Sequence, residues 1–311
     1  MKRWAWFLLG ALLASVLLLL GRPQGPGAPE GSFYTLYLGS QPFLFTEIPP
    51  AVGDRFLSSD GMALEVVGRE GRGAWLKVLG PATEIYGPLA EGLLPEELPA
   101  LSVKDLTALV PRTPPKKRLV VIYHSHTDES YIPARGIDSE PEGGAILEVG
   151  GAFKAALLDQ GFTHVVHDLT NFWPHDEGSY ARSRRAVLEY LQERPLFLWD
   201  VHRDAGPGPE VYRTSYGGRS ISQIMMVVGK GNPFYPDNLT FARSLMAVME
   251  SLFPGLIKGI FLAEGTYNQD LSPGALLLEV GNQWTPLEEA ILSMDLFARG
   301  LSRWVQGLGR P

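Results

Sequence analysis

The chain that follows Arg118 alternates short apolar runs with segments of helical periodicity. The apolar runs are LVVIY, THVVHD, LFLWDVH, ISQIMMVVG and ALLLEVGN, and helix-type segments such as SYARSRRAVLEYLQER and NLTFARSLMAVMESLF lie between them. Near-continuous apolar runs are typical of strands that are covered on both faces of a sheet. The alternation therefore predicts an α/β fold, a largely parallel twisted sheet with helices on both faces.

The sequence before this region divides into segments of different composition. The apolar runs FYTLYLG, MALEVVG and AWLKVLG, separated by the turn signals SSDG and REGRG, predict a small β-rich module. Proline- and glycine-rich stretches mark the flexible joints. The predicted segments are an N-terminal anchor or signal (1–21), a tether (22–31), the β-rich module with a connector (32–105), a Pro/basic linker (106–117) and the main α/β domain (118–309).

The N-terminal segment predicts a membrane helix. Lys2 and Arg3 precede an uncharged apolar run from Trp4 to Leu20. As a helix this run is roughly 25 Å long, close to the thickness of a bilayer core. No Ala-x-Ala pattern follows it, which favours an uncleaved anchor over a signal peptide. The positive charges place the N-terminus in the cytoplasm and the remainder outside, anchored or, if the segment is cleaved, secreted.

Charge and cysteine content limit the chemistry. The net charge of -7 gives no basic surface for nucleic acid, so no nucleic-acid partner is expected. The chain has no cysteine, which excludes disulfides and thiolate metal sites. Histidine and carboxylate are therefore the strong metal ligands that remain.

Three predicted strands end in side chains that can bind a metal or transfer a proton. His126 and Glu129 follow LVVIY, His202 lies in LFLWDVHRD, and Glu279 lies in ALLLEVGN. Because ligands bind at the carboxyl ends of parallel strands, we expect these residues to meet at one edge of the sheet. A His-x-x-Glu pair and a second histidine supply three ligands and leave one position open, as in catalytic zinc sites. Glu279, with a pKa raised by partial burial, then suits proton transfer from water to a leaving amine.

Other polar residues near these strand ends have open assignments. His124 is either an alternative ligand to His126 or a neighbour of the ligands or substrate. Asp200 either orients an imidazole or forms a strand-end turn, and Asp204 is either a structural ion-pair partner or part of a substrate clamp. The remaining histidines are interpreted as surface residues or as neighbours of the site: His164, His167 and His175.

The motifs VIYHSHTDESY, DVHRDA, VVGKGNP and YNQDLSPGALLLEVGN, with the spacing between them, resemble those of the stage II sporulation protein P family. The resemblance covers Leu119 to Leu308. Members of that family are membrane-anchored peptidoglycan hydrolases, related in fold to zinc-dependent N-acetylmuramoyl-L-alanine amidases. The resemblance implies cleavage of the amide between N-acetylmuramic acid and L-alanine, and in some members cleavage of cross-linked stem peptides as well.

The resemblance also implies roles for individual residues. The histidine-rich strand end of the family falls on His124, His126 and Glu129, its DxHRD motif on Asp200 to Asp204, and its late glutamate on Glu279. The order His-x-x-Glu, His, Glu is similar to that of zinc carboxypeptidases, which favours His126 over His124 as ligand. Zn²⁺ is thus the expected cofactor.

Peptidoglycan outside the cytoplasmic membrane is the expected substrate. Arg203, Asn268 and Gln269 are expected to contact it, since an arginine can bind stem-peptide carboxylates. The β-rich module either binds a membrane or wall protein or spaces the site from the membrane. Two alternatives stay open: a zinc carboxypeptidase or cross-link endopeptidase on the same scaffold, and a non-catalytic module that binds the wall or recruits a partner.

Overall fold

The computed structural model describes residues 33–88, 115–176 and 178–308. The predicted anchor, the tether and most of the connector and linker lie outside these ranges. Of the helices that fall within them, none has both the length and the apolar character needed to cross a membrane. The membrane anchor therefore stays a prediction.

The N-terminal part of the described chain is almost entirely strand. Its turns contain the glycines that the sequence places between apolar runs, such as Gly39, Gly61 and Gly71, all with positive φ. The elements are β1 (Tyr34–Leu38), β2 (Gln41–Thr46), β3 (Arg55–Ser58), β4 (Met62–Glu70), β5 (Gly73–Pro81) and the short helix α1 (Ala82–Tyr86).

The remainder alternates strands and helices, as the sequence predicts. The strands are β6 (Val120–Tyr123), β7 (Val165–His167), β8 (Phe197–Asp204), β9 (Arg213–Tyr216), β10 (Arg219–Ser222), β11 (Ile224–Gly229), β12 (Ile257–Ala263) and β13 (Ala275–Asn282). The helices are α2 (Ile132–Arg135), α3 (Ile146–Asp159), α4 (Ser179–Tyr190), α5 (Tyr235–Leu252) and α6 (Leu287–Leu308). Strands β9 and β10 form a separate hairpin.

One 11-stranded sheet joins both parts, in the order β2-β1-β5-β4-β3-β12-β11-β13-β8-β6-β7. Strands β13, β8, β6 and β7 are mutually parallel, while β11 is antiparallel to β13. Strand β3 pairs antiparallel with β12, so the N-terminal strands continue the same sheet. The α/β class is confirmed. The complete sheet is mixed rather than largely parallel. The tight turns between β1 and β2, β3 and β4, and β4 and β5 make each of these pairs antiparallel, whereas β1 and β5 pair in parallel.

The two faces of the sheet are covered differently. Helices α3, α5 and α6 pack on one face, against side chains such as Trp199 and Leu278. On the opposite face, α4 covers one end through Val187. The N-terminal strands cover the other end, where Phe56 packs against Phe261 and its neighbours. The alternation of side chains along β8 and β13 sends His202 and Glu279 to this second face.

Strand β12 was not predicted from the sequence. Its run IKGIFLA is interrupted by Gly259, which lowers its strand propensity. A Cβ at Gly259 would lie 2.4 Å from the Phe56 ring, so only glycine allows β3 to pair closely here. Strands β2 and β3 were also missed, because β2 contains Pro42, which is unusual in a strand, and β3 has only four residues.

Candidate active site

The loop after β6 carries the first group of polar side chains and is held by the start of α3. The backbone N–H of Gly144 donates to Thr127 O at 2.8 Å, and that of Ile146 donates to Glu129 O at 3.1 Å. A Cβ at Gly144 would lie 2.0 Å from Glu129 O, so this close approach requires glycine. Backbone contacts therefore fix Glu129 before any ligand binds.

Glu129 is the centre of the site. Its Oε1 atom lies 3.2 Å from His126 Nδ1 and 2.9 Å from His202 Nδ1, while its Oε2 atom accepts the backbone N–H of Arg203 at 2.8 Å. Glu129 and His202 are buried and His126 is partly buried. Two ligands on one tetrahedral zinc, each about 2.0–2.1 Å from it, lie about 3.3 Å apart. Each of the two Nδ1–Oε1 distances is therefore compatible with two ligands that share one zinc ion.

The charges of this group are strongly coupled. Burial opposes ionisation of Glu129, yet the charge of His202 and hydrogen bonds from both imidazoles hold the pKa of its carboxyl well below the usual range. Burial also opposes protonation of His202, but Glu129 and Asp200 raise its pKa well above the ordinary value. A cation is therefore favoured between these carboxylates, whether a proton or a metal.

Asp200 holds His202 from the opposite side of the ring. Its Oδ1 atom lies 2.9 Å from His202 Nε2 and accepts the backbone N–H of Ser125 at 2.8 Å, while its Oδ2 atom accepts the Ser125 hydroxyl at 2.7 Å. A carboxylate in this position orients an imidazole and makes it a stronger ligand. The structure thus places Asp200 where the sequence analysis proposed an orienting residue.

Glu279 lies on the neighbouring strand. Its Cα pairs with that of His202 in the parallel register of β13 and β8, so both side chains point to the same face. Burial and the charge of Asp204 raise the pKa of Glu279 well above its ordinary value. Its Oε2 atom has no hydrogen-bond partner among the described residues. A buried carboxyl without a partner is costly, which is typical of a functional group.

His175 joins the cluster, although the sequence analysis assigned it to the surface or the surroundings. One donor atom each of His126, Glu129 and His175 lies within 4.8 Å of the others, an arrangement that could hold a metal. The His175 ring stacks on His126 with centroids 3.7 Å apart, and its Nδ1 donates to Asp128 Oδ1 at 3.1 Å. Its position after β7, a strand parallel to β6 and β8, was the signal that could have identified it.

His124 lies outside this cluster. Its Nδ1–H donates to Val201 O at 2.7 Å, which leaves Nε2 to accept the Nε2–H of His167 at 2.8 Å. Burial, and then the proximity of His167, lowers the pKa of His124 to about 3. Both ring nitrogens of His124 are thus engaged away from Glu129.

The residues proposed to contact substrate are engaged within the protein. The guanidinium of Arg203 donates to Glu47 and to Asp138 O. The Asn268 amide donates to Tyr180 O and Ser183, and the Gln269 amide bridges Gly229 N and Val227 O. Asp204 accepts hydrogen bonds from Glu47 N and the Tyr212 hydroxyl. Substrate contact by Arg203, Asn268 or Gln269 stays a prediction.

A cleft with a volume of about 470 Å³ lies next to the cluster. Tyr180 belongs to both, because it lines the cleft and its ring contacts His126 with centroids 5.3 Å apart. Tyr267 contacts Tyr180 edge to face and lines the same cleft, as do Arg184 and Asp270, which form an ion pair at 2.6 Å. Neither tyrosine was predicted from the sequence as a site residue.

Fold and site together define an α/β protein with a buried histidine–carboxylate centre at the carboxyl ends of parallel strands. The chain belongs to the Stage II sporulation protein P (SpoIIP) family, whose model matches residues 91–302. The stage II sporulation protein P of Bacillus subtilis (strain 168) is 32% identical over 201 residues, which are 57% of this chain and 50% of that protein. The chain thus spans about half the length of this curated relative.

Solved structures with similarity to the chain include N-acetylmuramoyl-L-alanine amidases. That of Clostridium difficile 630 has 17% identity and a TM-score of 0.38, covering 61% of this chain and 95% of that one. That of Mycobacterium smegmatis has 14% identity and a TM-score of 0.37, covering 61% and 96%.

Proposed function

We propose that this chain is a zinc-dependent peptidoglycan hydrolase that cleaves the amide between N-acetylmuramic acid and L-alanine. Membership of the SpoIIP family supports the substrate class. The observation that carries the reaction type is the shared contact of Glu129 Oε1 with the Nδ1 atoms of His126 and His202. Glu279 lies on the adjacent strand, and its buried Oε2 atom has no hydrogen-bond partner among the described residues.

His126, Glu129 and His202 are the proposed ligands. When bound, zinc supplies Lewis acidity, which lowers the pKa of water and polarises a carbonyl. Glu129 is held for this task by the Arg203 N–H, and His202 by Asp200. Three protein ligands leave room for substrate or water, as catalysis requires.

Glu279 is the proposed proton-transfer residue. It accepts the proton of the attacking water and returns it to the amide nitrogen as the carbon–nitrogen bond breaks, so that an amine leaves. A raised pKa suits this cycle, because the carboxyl must both take up and release a proton near neutral pH. The products are a free carboxyl on the lactyl group of the sugar and a free amino group on L-alanine.

The cleft beside His126 is the proposed substrate site. Tyr180 and Tyr267 provide aromatic surface for a sugar ring or a peptide side chain. In the cleft, the guanidinium of Arg184 donates two hydrogen bonds to the carboxylate of Asp270, so the two charges compensate each other. Because Arg203 is likewise paired with Glu47, the site favours internal amide cleavage over a carboxypeptidase that must bind a free terminal carboxylate.

The proposed location is the outer face of the cytoplasmic membrane. The apolar run Trp4–Leu20 and the preceding Lys2 and Arg3 support an anchor with the remaining chain outside. Such an anchor would hold the hydrolase close to its polymeric substrate.

Digestion of purified sacculi with and without a chelator, read by mass spectrometry, tests the proposal. An amidase releases intact stem peptides from glycan, and activity returns when zinc is restored. A carboxypeptidase releases single residues from the stem peptides. An endopeptidase cuts the peptide cross-links and leaves the stem peptides attached to the glycan. Chelator-resistant digestion, or no release of stem peptides by zinc-loaded protein, would contradict the assignment.

A further inference from the structure

The N-terminal strands build a wall of the candidate site. Leu36, Leu44, Phe56 and Leu64 from β1 to β4 form one buried cluster with Met225, Val227, Phe261 and Leu277. Leu277 precedes Glu279 by two residues on β13, so this cluster adjoins the carboxyl on the same face of the sheet. The SpoIIP family match begins at residue 91, after all of these N-terminal strands.

Glu47, directly after β2, reaches from this wall to the site. Its Oε2 atom accepts a hydrogen bond from Arg203 Nη1 at 2.8 Å, and its backbone N–H donates to Asp204 Oδ1 at 2.6 Å. The same Asp204 carboxylate also binds Ala205 N and the Tyr212 hydroxyl. Backbone and side chain of Glu47 are thus both tied to the DVHRD strand.

Arg203 connects Glu47 to Glu129, one of the proposed zinc ligands. Its backbone N–H donates to Glu129 Oε2, the oxygen that the two imidazoles leave free. Only 7% of its side chain is exposed, so its positive charge requires a nearby negative charge. Among the side chains of the described residues, Glu47 is the one that forms an ion pair with this guanidinium.

We propose that Glu47 is a positioning residue for the zinc centre, acting through Arg203. This inference rests on the proposed function. Glu47 neutralises the buried guanidinium and holds β8 so that its backbone N–H continues to orient Glu129. The N-terminal module is therefore part of the active centre, in addition to any role as a spacer or partner-binding unit.

A change of charge at Glu47 has a definite consequence. Without the carboxylate, the Arg203 cation loses its ion-pair partner beside a site for a divalent cation, and the added repulsion lowers metal affinity. Loss of an outer partner of a metal ligand typically lowers affinity about 10–100-fold. A purely structural role would lower only the melting temperature.

Zinc affinity, measured by competition with a chromophoric chelator, tests the proposal in E47Q. E65Q is the matched control, because Glu65 belongs to the same module, pairs with Arg55 and has 28% side-chain exposure against 21% for Glu47. D54N controls for weakened attachment of the N-terminal module to the rest of the protein, because Asp54 of the module forms an ion pair with Lys230 at 2.8 Å. We expect affinity to fall at least about tenfold in E47Q and to stay within about twofold of wild type in both controls.

The double variant E47Q/R203Q covers the case in which E47Q alone does not fold. Removal of both partners leaves no unpaired buried charge. If Glu47 acts through Arg203, the double variant binds zinc as R203Q does, within about twofold, and E47D retains more affinity than E47Q. Wild-type affinity in E47Q, or an equal loss in D54N, would overturn the inference. Failure of the wild-type protein to bind zinc would instead overturn the proposed function.

Discussion

Glu279 and His202 are cross-strand partners, with Cα atoms in register between the parallel strands β13 and β8. Both side chains are buried and point to the face of the sheet that the N-terminal strands cover. The sheet register therefore sets the buried carboxyl of Glu279 beside a candidate ligand.

Replacement of Glu279 by glutamine should remove catalysis and leave the fold intact. We expect amide cleavage to fall about 10²–10⁴-fold, because the amide cannot accept a proton. Zinc content should be unchanged. The melting temperature should not fall, since Glu279 Oε2 has no partner to lose among the described residues. E289Q, at a buried glutamate of α6 that pairs with Arg213 of β9, serves as the control and should keep activity.

His202 and His175 should respond differently to alanine substitution. H202A removes a donor that contacts Glu129 directly, so zinc affinity should fall by more than the roughly 10–100-fold typical of an outer partner. H175A should keep affinity within about tenfold, because its Nδ1 is held by Asp128 outside the proposed ligand set. Equal losses in the two variants would identify His175 as a fourth ligand and the site as a closed, structural one.

Two adjacent glycines of α3 should respond to alanine with opposite signs. A Cβ at Gly150 would lie 2.5 Å from Nε2 of both His124 and His167, whereas one at Gly151 has its nearest neighbour at 4.0 Å. Chemical denaturation should show G150A less stable by about 1–3 kcal/mol, through overpacking. G151A should be more stable by about 0.5–1 kcal/mol, through helix propensity. Similar stability of the two variants would show that the histidine pair moves aside without cost.

The fold should lose stability in acid through His167. Burial lowers the pKa of His167 to about 4, against an ordinary value of 6.5. Below pH 6.5 the unfolded chain binds a proton at His167 that the folded chain does not bind. The contribution of neutral His167 to the free energy of unfolding is therefore complete above pH 6.5 and is lost as the pH falls toward 4. The loss is on the order of 1–2 kcal/mol after allowance for partial exposure.

Urea denaturation at pH 7.5 and pH 4.5 measures this effect. H167Q should lose less stability than wild type between the two pH values. H164Q, at a histidine whose side chain is 45% exposed, should behave as wild type. A pH dependence of H167Q equal to that of wild type would contradict the assignment.

The sequence predicted the α/β class and the strand ends that carry the site. His126 and Glu129 follow β6, and His202 lies near the end of β8, because apolar strands in this fold end at a polar edge. The structure brings these three residues into contact, and their roles as ligands stay predictions. His175 was assigned to the surface or to the surroundings of the site, because it lies in the loop after β7 whose path the sequence does not predict. Tyr180 was missed, because helical periodicity predicts α4 but not which site its first turn contacts.

The local pattern of apolar and polar residues was enough to predict the long helices and many of the strands, though not β2, β3 or β12, since that pattern acts over a few neighbouring residues. Only the tertiary structure decided that the N-terminal strands close over the site and bring Glu47 to Arg203, 156 residues away in the chain. Such a pairing depends on the order of strands in the sheet and on the burial of the Arg203 charge. The spacing of residues along one segment predicts neither of these.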